Sequence, residues 1–250
     1  MKVILTGYSG TLAPYIKEAL EQRGHDVILW DHKVLLIDDK PAIKAFLDQH
    51  KPDVFFHIAT GPESWLETII ELIKPMNLPL LFTSTESVFD DSQQGPFSTN
   101  TPPLAKGDYG QYKIRCEKII SANYPDQSYI VRIGWQIALT PEKNNMLYYL
   151  VAQEQVEAST EWILSTSFMP DTANALIDIV EQGRPGLYHV DGNLENWDYF
   201  TLVTELKEAF NLPIEVIKSN ALKRNNRLQS DILLVKSIQE RIAEIKGSIK

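Results

Sequence analysis

Short apolar runs alternate with longer amphipathic segments along the first half of the chain. Buried strands are predicted where apolar residues follow one another, at residues 3–6, 27–30, 54–59, 80–82 and 129–133. Helices are predicted where apolar residues recur at helical spacing, up to residue 23 and at residues 40–51, 63–74 and 109–123. Because strands that alternate with helices build βαβ units, the pattern predicts an α/β fold with a doubly wound parallel sheet.

The second half of the chain has a less regular pattern. It predicts short strands at residues 161–164, 186–190 and 212–217, and helices at residues 171–181, 197–210 and from 230 onwards. The sequence has no internal repeat and no long linker. We therefore expect any second lobe to be interwoven with the first.

The composition narrows the class of protein and its partners. The 250 residues are 44% hydrophobic and 23% charged, as in soluble globular proteins. The net charge of −9 disfavours nucleic acid and anionic membranes as partners. Cys116 is the only cysteine, so neither an intrachain disulfide nor a cysteine metal cluster is expected, and no metal site is predicted. Without an apolar run of about 20 residues or a signal peptide, a cytoplasmic location is expected.

A glycine turn follows the first strand and leads into the first helix. It carries Gly7, Ser9, Gly10, Thr11 and Leu12. Glycine lets the backbone turn tightly and lets a pyrophosphate approach, while the helix N-terminus contributes partial positive charge. A glycine pattern alone can be a plain turn, but this one stands between a strand and a helix, as in dinucleotide sites.

The second predicted strand ends at Asp31, about 20 residues beyond the turn. A carboxylate there can accept hydrogen bonds from the adenosine ribose hydroxyls and repels a 2′-phosphate. The neighbouring His32 and Lys33 could offset that repulsion. The sequence therefore favours NAD(H) modestly over NADP(H).

Tyr109 and Lys113 lie four residues apart on the helix predicted at residues 109–123, so they share one face. An ammonium one turn away should lower the phenol pKa from its usual value of about 10. Such a pair can pass a proton while a hydride moves, although pairs at this spacing are also common surface features. His57, inside an apolar strand, is interpreted as structural.

Hydroxyl residues follow the fourth predicted strand. Thr83, Ser84, Thr85, Glu86 and Ser87 form this cluster. The carboxyl ends of strands are where open α/β sheets bind ligands. We therefore expect these side chains to face the same ligand as the glycine turn.

Five segments together resemble the extended short-chain dehydrogenase/reductases, and most closely the dTDP-4-dehydrorhamnose reductases. They are the glycine turn and residues 52–59, 84–90, 109–117 and 132–135, with weaker similarity at residues 171–173 and 186–192. The family pattern S-T-D-Y-V-F-D stands here as S-T-E-S-V-F-D, and Y-G-x-[ST]-K-x-x-x-E as Y-G-Q-Y-K-I-R-C-E. These enzymes reduce a 4-keto group on a nucleotide-activated deoxysugar.

The resemblance implies a Rossmann-type NAD(P)-binding domain at residues 1–135, to which residues 160–190 return. Residues 136–159 and 191–250 would form a small, interwoven C-terminal substrate lobe. NAD(H) or NADP(H) would be the cofactor, a nucleotide sugar the substrate and, by analogy, a homodimer the assembly.

The resemblance also implies roles for individual residues. Thr85 would hydrogen-bond the substrate carbonyl, Tyr109 would be the general acid, and Lys113 would hold the nicotinamide ribose and lower the Tyr109 pKa. The implied cofactor-binding residues are Gly7, Ser9, Gly10, Thr11, Leu12, Asp31, His32, Ala59, Thr60, Thr83, Tyr109, Lys113 and Arg132. The implied substrate-binding residues are Thr85, Glu86, Ser87, Trp135 and Asn145.

The chain departs from the family pattern at several positions. The segment 59–84 is short and lacks the usual asparagine, and Leu36 stands where an adenine-contacting aspartate is common. Tyr112 replaces a small hydroxyl residue, and Gly134 replaces a serine near the nicotinamide. Lys223, Arg224 and Arg227 form a basic cluster that could meet a diphosphate or could be a solvated loop.

Two other functions stay open. A nucleotide-sugar epimerase or dehydratase would share the fold, but a dehydratase usually carries an acidic pair beside the threonine, and here Ser87 follows Glu86. A non-catalytic NAD(P)-binding regulatory subunit would fit the short segment 59–84, whereas Thr85, Tyr109 and Lys113 argue against it.

Overall fold

A computed structural model describes residues 1–142, 144–229 and 235–248. The strands within these ranges are β1 Lys2–Leu5, β2 Asp26–Leu29, β3 Val54–His57, β4 Leu80–Thr85, β5 Ser128–Ile133, β6 Trp135–Ile137, β7 Gln155–Ser159, β8 Trp162–Ile163, β9 Thr166–Phe168, β10 Gly186–Val190, β11 Glu215–Ser219 and β12 Arg224–Asn225. The α-helices are α1 Ala13–Gln22, α2 Lys40–His50, α3 Glu63–Ile73, α4 Asp108–Asn123, α5 Met146–Val151, α6 Met169–Gln182, α7 Tyr199–Phe210 and α8 Ile238–Ser248. No described helix has both the length and the apolarity needed to cross a membrane.

A six-stranded parallel sheet forms the centre of the molecule, in the order β10-β5-β4-β3-β1-β2. The chain runs from β1 to β2 on one side and through β3, β4 and β5 to β10 on the other. The strand order therefore reverses beside β1, which is where sheets of this kind bind ligands at their carboxyl ends. The predicted doubly wound α/β fold is confirmed.

Two hydrophobic cores cover the two faces of this sheet. Strand β1 shows the alternation, because Val3 and Leu5 pack into one core and Ile4 into the other. Helices α1 and α6 cover the first face, and α2, α3 and α4 the second. Each fully buried aliphatic side chain contributes on the order of 1.5–3 kcal/mol through the hydrophobic effect. This packing fixes the strand ends that carry the polar residues.

A third core lies in a small lobe built from α5, α7 and α8. The pairs β6–β9, β7–β11 and β8–β12 belong to this part of the chain. Residues 162–163 pair with β12 and residues 166–168 with β6, outside the main sheet, whereas α6 from Met169 packs on that sheet. The predicted domain boundaries stay a prediction. Of the predicted helix from residue 230, residues 230–234 lie outside the described ranges, and α8 begins at Ile238.

The lobe also holds the long loop that precedes α4. The backbone N–H of Gly95 donates to the carbonyl of Asn225 (2.7 Å), and that of Phe97 donates to the carbonyl of Arg227 (2.8 Å). Gln229 returns a hydrogen bond from its N–H to the carbonyl of Phe97 (2.7 Å). The segment that contains β12 is therefore fastened to the chain between β4 and α4.

Candidate active site

A cleft of about 860 Å³ runs along the carboxyl ends of β1, β3, β4 and β5. All of the site residues predicted from the sequence line it, except Asp31 and Arg132. We call the end lined by residues 7, 9–13, 30, 32, 37, 58–61 and 65 the glycine-turn half. We call the end formed by residues 134–136, 144, 145 and 149 the lobe half.

The glycine turn has a shape that only glycine allows. Gly7 has a φ of +75°, and a Cβ on it would lie 3.0 Å from the backbone nitrogen of Ala59. The N–H of Gly10 donates to the carbonyl of Gly7 (2.8 Å), which closes the turn. Helix α1 begins immediately afterwards, and its N-cap residue Leu12 offers no side-chain cap. The helix dipole and the backbone of the glycine turn suit this place to a pyrophosphate.

Thr6 connects the turn to the end of β3. Its hydroxyl oxygen accepts hydrogen bonds from the N–H groups of Ile58 (3.0 Å) and Ala59 (3.1 Å) and lies 3.2 Å from Nδ1 of His57. Burial lowers the pKa of His57 to about 3, so the imidazole is neutral near neutral pH. His57 is therefore a structural residue, and Thr6 holds the chain after β3 next to the glycine turn.

Aromatic and aliphatic side chains line the glycine-turn half beyond β2. Trp30 and Trp65 pack edge to face with centroids 5.5 Å apart, and Ile37 lines the cleft instead of the half-exposed Leu36. Trp65 crowds Gly61, where a Cβ would lie 2.6 Å from its ring. These residues were not predicted as site residues, because a tryptophan on a helix or after a strand also suits an ordinary core.

Asp31 is not among the residues that line the cleft, and its predicted role at the ribose stays a prediction. Its carboxylate accepts a hydrogen bond from the N–H of Lys33 (2.9 Å). It also lies beside the phenol of Tyr8, whose pKa is raised by partial burial and by the Asp31 charge. The carboxylate is thus used in the turn that follows β2, while His32 lines the cleft.

Lys113 is buried in the floor of the cleft and Tyr109 is half-exposed above it. The Lys113 ammonium donates to the carbonyl of Thr83 (2.8 Å) and lies 5.9 Å from the Tyr109 ring centroid. Burial lowers the Lys113 pKa to about 8. A Cβ on Gly110 would lie 2.1 Å from the carbonyl oxygen of Ser87, so glycine lets α4 contact the end of β4.

The pKa of Tyr109 shifts in the direction opposite to the prediction. Partial burial and the nearby Glu86 carboxylate raise it above its usual value. Lys113 is directed at the Thr83 carbonyl rather than at the phenol oxygen, which explains why its charge does not dominate. The phenol of Tyr109 therefore keeps its proton near neutral pH.

Thr85, Glu86 and Ser87 form a short hydrogen-bonded chain at the end of β4. The Thr85 hydroxyl donates to Oγ of Ser87 (3.2 Å), and the Ser87 hydroxyl donates to Oε1 of Glu86 (3.0 Å). The N–H of Ser87 donates back to Oγ1 of Thr85 (3.1 Å). All three residues line the cleft together with Tyr109.

Arg132 is not among the residues that line the cleft, and its predicted contact with the cofactor stays a prediction. Its guanidinium donates to both carboxylate oxygens of Glu117, at 2.9 and 2.6 Å, and both side chains are buried. The pair joins β5 to α4, the helix that carries Tyr109. Its function in this structure is to hold the two elements together.

The lobe half contains predicted and unpredicted residues. Trp135 lines it, with Tyr149 packed edge to face at 5.5 Å between ring centroids. Asn145 lines it too and caps α5, because its Oδ1 accepts from the N–H of Tyr148 (3.2 Å). Gln136 and Tyr149 were missed because β6 and α5 are too short to give a readable periodicity.

Comparisons with known proteins agree with this architecture. The RmlD substrate binding domain family matches residues 64–241. The spore coat polysaccharide biosynthesis protein SpsK of Bacillus subtilis is 23% identical over 245 residues, which cover 90% of this chain and 85% of that protein.

Two solved structures show the same fold. A dTDP-4-dehydrorhamnose reductase from Clostridium acetobutylicum has a TM-score of 0.83 at 17% identity, covering 100% of this chain and 99% of that one. A dTDP-4-dehydrorhamnose reductase from Bacillus anthracis in complex with NADP has a TM-score of 0.82 at 17% identity, covering 99% of each chain. Since the family match spans most of the sequence, the chain belongs to the RmlD substrate binding domain family, a reductase-like group of the NAD-dependent epimerase/dehydratase superfamily.

Proposed function

We propose that this protein reduces the keto group of a nucleotide-activated 4-keto-6-deoxysugar with NADH or NADPH. The observation that carries the proposal is the convergence of Thr85, Tyr109 and Lys113 at one cleft whose other end is the glycine turn. A bound dinucleotide would be held by the turn residues 7–12 and by Lys113, and it would supply the hydride. The shape of the turn and its uncapped helix fit such a ligand.

Tyr109 is the general acid in this proposal. As the keto carbon accepts the hydride, negative charge develops on its oxygen, and the phenol transfers its proton there. The raised pKa keeps the phenol protonated until that charge develops. Thr85 orients the carbonyl once its hydroxyl turns from Ser87 towards the substrate.

The preference between NADH and NADPH depends on Asp31 and His32. NADH is favoured through the charge of Asp31, but this carboxylate is used in its own turn and His32 lies in the cleft wall. We therefore expect at most a modest preference for NADH.

Cofactor binding is the first test. We expect NADH or NADPH to quench the fluorescence of Trp30 and Trp65, which line the cleft, and Gly10→Asp to abolish the effect by placing a carboxylate at the pyrophosphate site. Gly247→Asp is the matched control, because nothing lies within 4 Å of a Cβ at Gly247. Absence of binding by the wild type would refute the proposal.

Turnover is the second test. With a dTDP-4-keto-6-deoxyhexose, Tyr109→Phe should lower kcat by about 10²–10⁴-fold while the cofactor Kd stays unchanged, because only the transferable proton is lost. Tyr148→Phe, an exposed tyrosine outside the cleft wall, is the control. Cofactor binding without NADH oxidation would favour the regulatory subunit, and hydride retained in an isomerised product would favour the epimerase.

A further inference from the structure

Glu86 is the only carboxylate among the described residues that line the cleft. It follows Thr85 directly, and its charge reaches the phenol of Tyr109. It lines the cleft together with Thr85 and Tyr109, beside the position where the substrate carbonyl would be reduced in the proposed function.

The two oxygens of this carboxylate have different surroundings. Oε1 accepts a hydrogen bond from the Ser87 hydroxyl at 3.0 Å. Oε2 is buried and has no hydrogen-bond donor within the part of the chain that the structure describes. A buried polar atom without a partner is costly, so the position of Oε2 requires an explanation.

Arg224 compensates the charge of Glu86 only in part. Its guanidinium nitrogen is 3.8 Å from Oε2, beyond hydrogen-bond distance, and only 2.8 Å from Oδ1 of Asp91. One cation is thus shared between two carboxylates. The arginine, held in β12 of the lobe, approaches Glu86 from the side of Oε2 but donates no hydrogen bond to it.

From this geometry we infer that Oε2 of Glu86, once the side chain turns to bring this buried atom to the cleft, accepts a hydrogen bond from the substrate. The donor is the hydroxyl on the carbon next to the reducible carbonyl. In a 4-keto-6-deoxyhexose, C5 carries the methyl group, so the only such hydroxyl is the one on C3. The inference rests on the proposed function and names a specificity-determining residue for it. Glu86 would then select keto-sugars that retain the 3-hydroxyl over those that have lost it.

The experiment compares dTDP-4-keto-6-deoxyglucose with its 3-deoxy analogue. A hydrogen bond to a charged acceptor corresponds to about a 10- to 100-fold effect, so kcat/KM of the wild type should favour the 3-hydroxy compound by that factor. Glu86→Leu should remove the preference by lowering kcat/KM for the 3-hydroxy compound alone, and Glu86→Gln should give an intermediate ratio. Cofactor titration of each variant checks that the cleft is intact.

Asp91→Asn is the matched control. It alters the other carboxylate on Arg224, but Asp91 is exposed and lies outside the cleft wall, so the preference should persist. Equal kcat/KM values for the two compounds in the wild type, or an equal loss with both in Glu86→Leu, would overturn the inference and leave the reductase proposal standing. No turnover of either compound by the wild type would overturn both.

Discussion

The two halves of the cleft are built in different ways. The glycine-turn half is shaped mainly by backbone: the left-handed turn at Gly7, the N–H groups that open α1, and the end of β3 held by Thr6. The lobe half is shaped by side chains on or next to short elements, such as Asn145 at the N-cap of α5 and Gln136 on β6. A site built from backbone tolerates few substitutions, and it can be predicted from residues that are close in the sequence. A site built from side chains can change its specificity through single substitutions.

This difference explains how much could be predicted from the sequence. Glycine spacing, the helix at Tyr109 and the apolar strands identify the sheet and the glycine turn, because their signals lie within about 20 residues of chain. Asp31 was assigned to the cleft because it ends β2, and only the structure shows its carboxylate bonded to Lys33. Arg132 was assigned through its motif, and its partner Glu117 also stands in a motif, but nothing in the spacing shows that they pair beneath the cleft.

The strands of the lobe and their pairing could not be predicted from the sequence. Strands β6, β8, β9 and β12 have two or three residues each, too few to display a period of two. Their partners lie far away in the chain, as when β12 pairs with β8. Arg224 was interpreted as part of a basic cluster, yet it lies beside Glu86 and Asp91 only because the lobe folds back onto the loop before α4.

The largest expected effect is on stability, and it tests the buried pair of Glu117 and Arg132 that joins α4 to β5. Glu117→Gln removes the charge that compensates buried Arg132, so we expect the free energy of unfolding to fall by about 3–5 kcal/mol in urea titrations. Glu63→Gln breaks the exposed ion pair with Arg115 and should cost less than about 1 kcal/mol. Similar small losses in the two variants would mean that the pair does not support the cleft.

A smaller effect is the pH dependence of stability that arises in the glycine-turn half. His57, beneath the glycine-turn half, has a folded-state pKa of about 3, below its unfolded value near 6.5. Between these values the unfolded chain binds the extra proton, so His57 should lower stability as pH decreases from about 6.5, by roughly 1.4 kcal/mol per pH unit at most. His189, whose pKa is lowered to about 4 by burial and by Arg132, adds a slope of its own. Urea titrations from pH 7 to pH 5 should show this slope, and His57→Gln should reduce it.

The exposed His32 provides the control for that slope. His32→Gln replaces an exposed histidine in the same half of the cleft, and its slope is the reference for that of His57→Gln. An unchanged slope in His57→Gln would show that the buried imidazole is not the group responsible.

The smallest effect isolates the lobe half. Asn145→Ala removes the cap of the six-residue helix α5 and should cost about 1 kcal/mol of stability. Because Asn145 and Tyr149 also line the cleft, the loosened helix should raise KM for the sugar nucleotide while the cofactor Kd stays constant.

Asp39→Ala is the matched control, because it removes an equivalent cap from α2 outside the cleft wall. The Asp39 side chain accepts a hydrogen bond from the N–H of Ala42 at 2.9 Å. This substitution should cost similar stability without changing KM, since α2 contributes no residue to the lobe half. Equal KM values in the two variants would show that the lobe half does not depend on α5. The contrast between a half built from backbone and a half built from side chains would then be wrong.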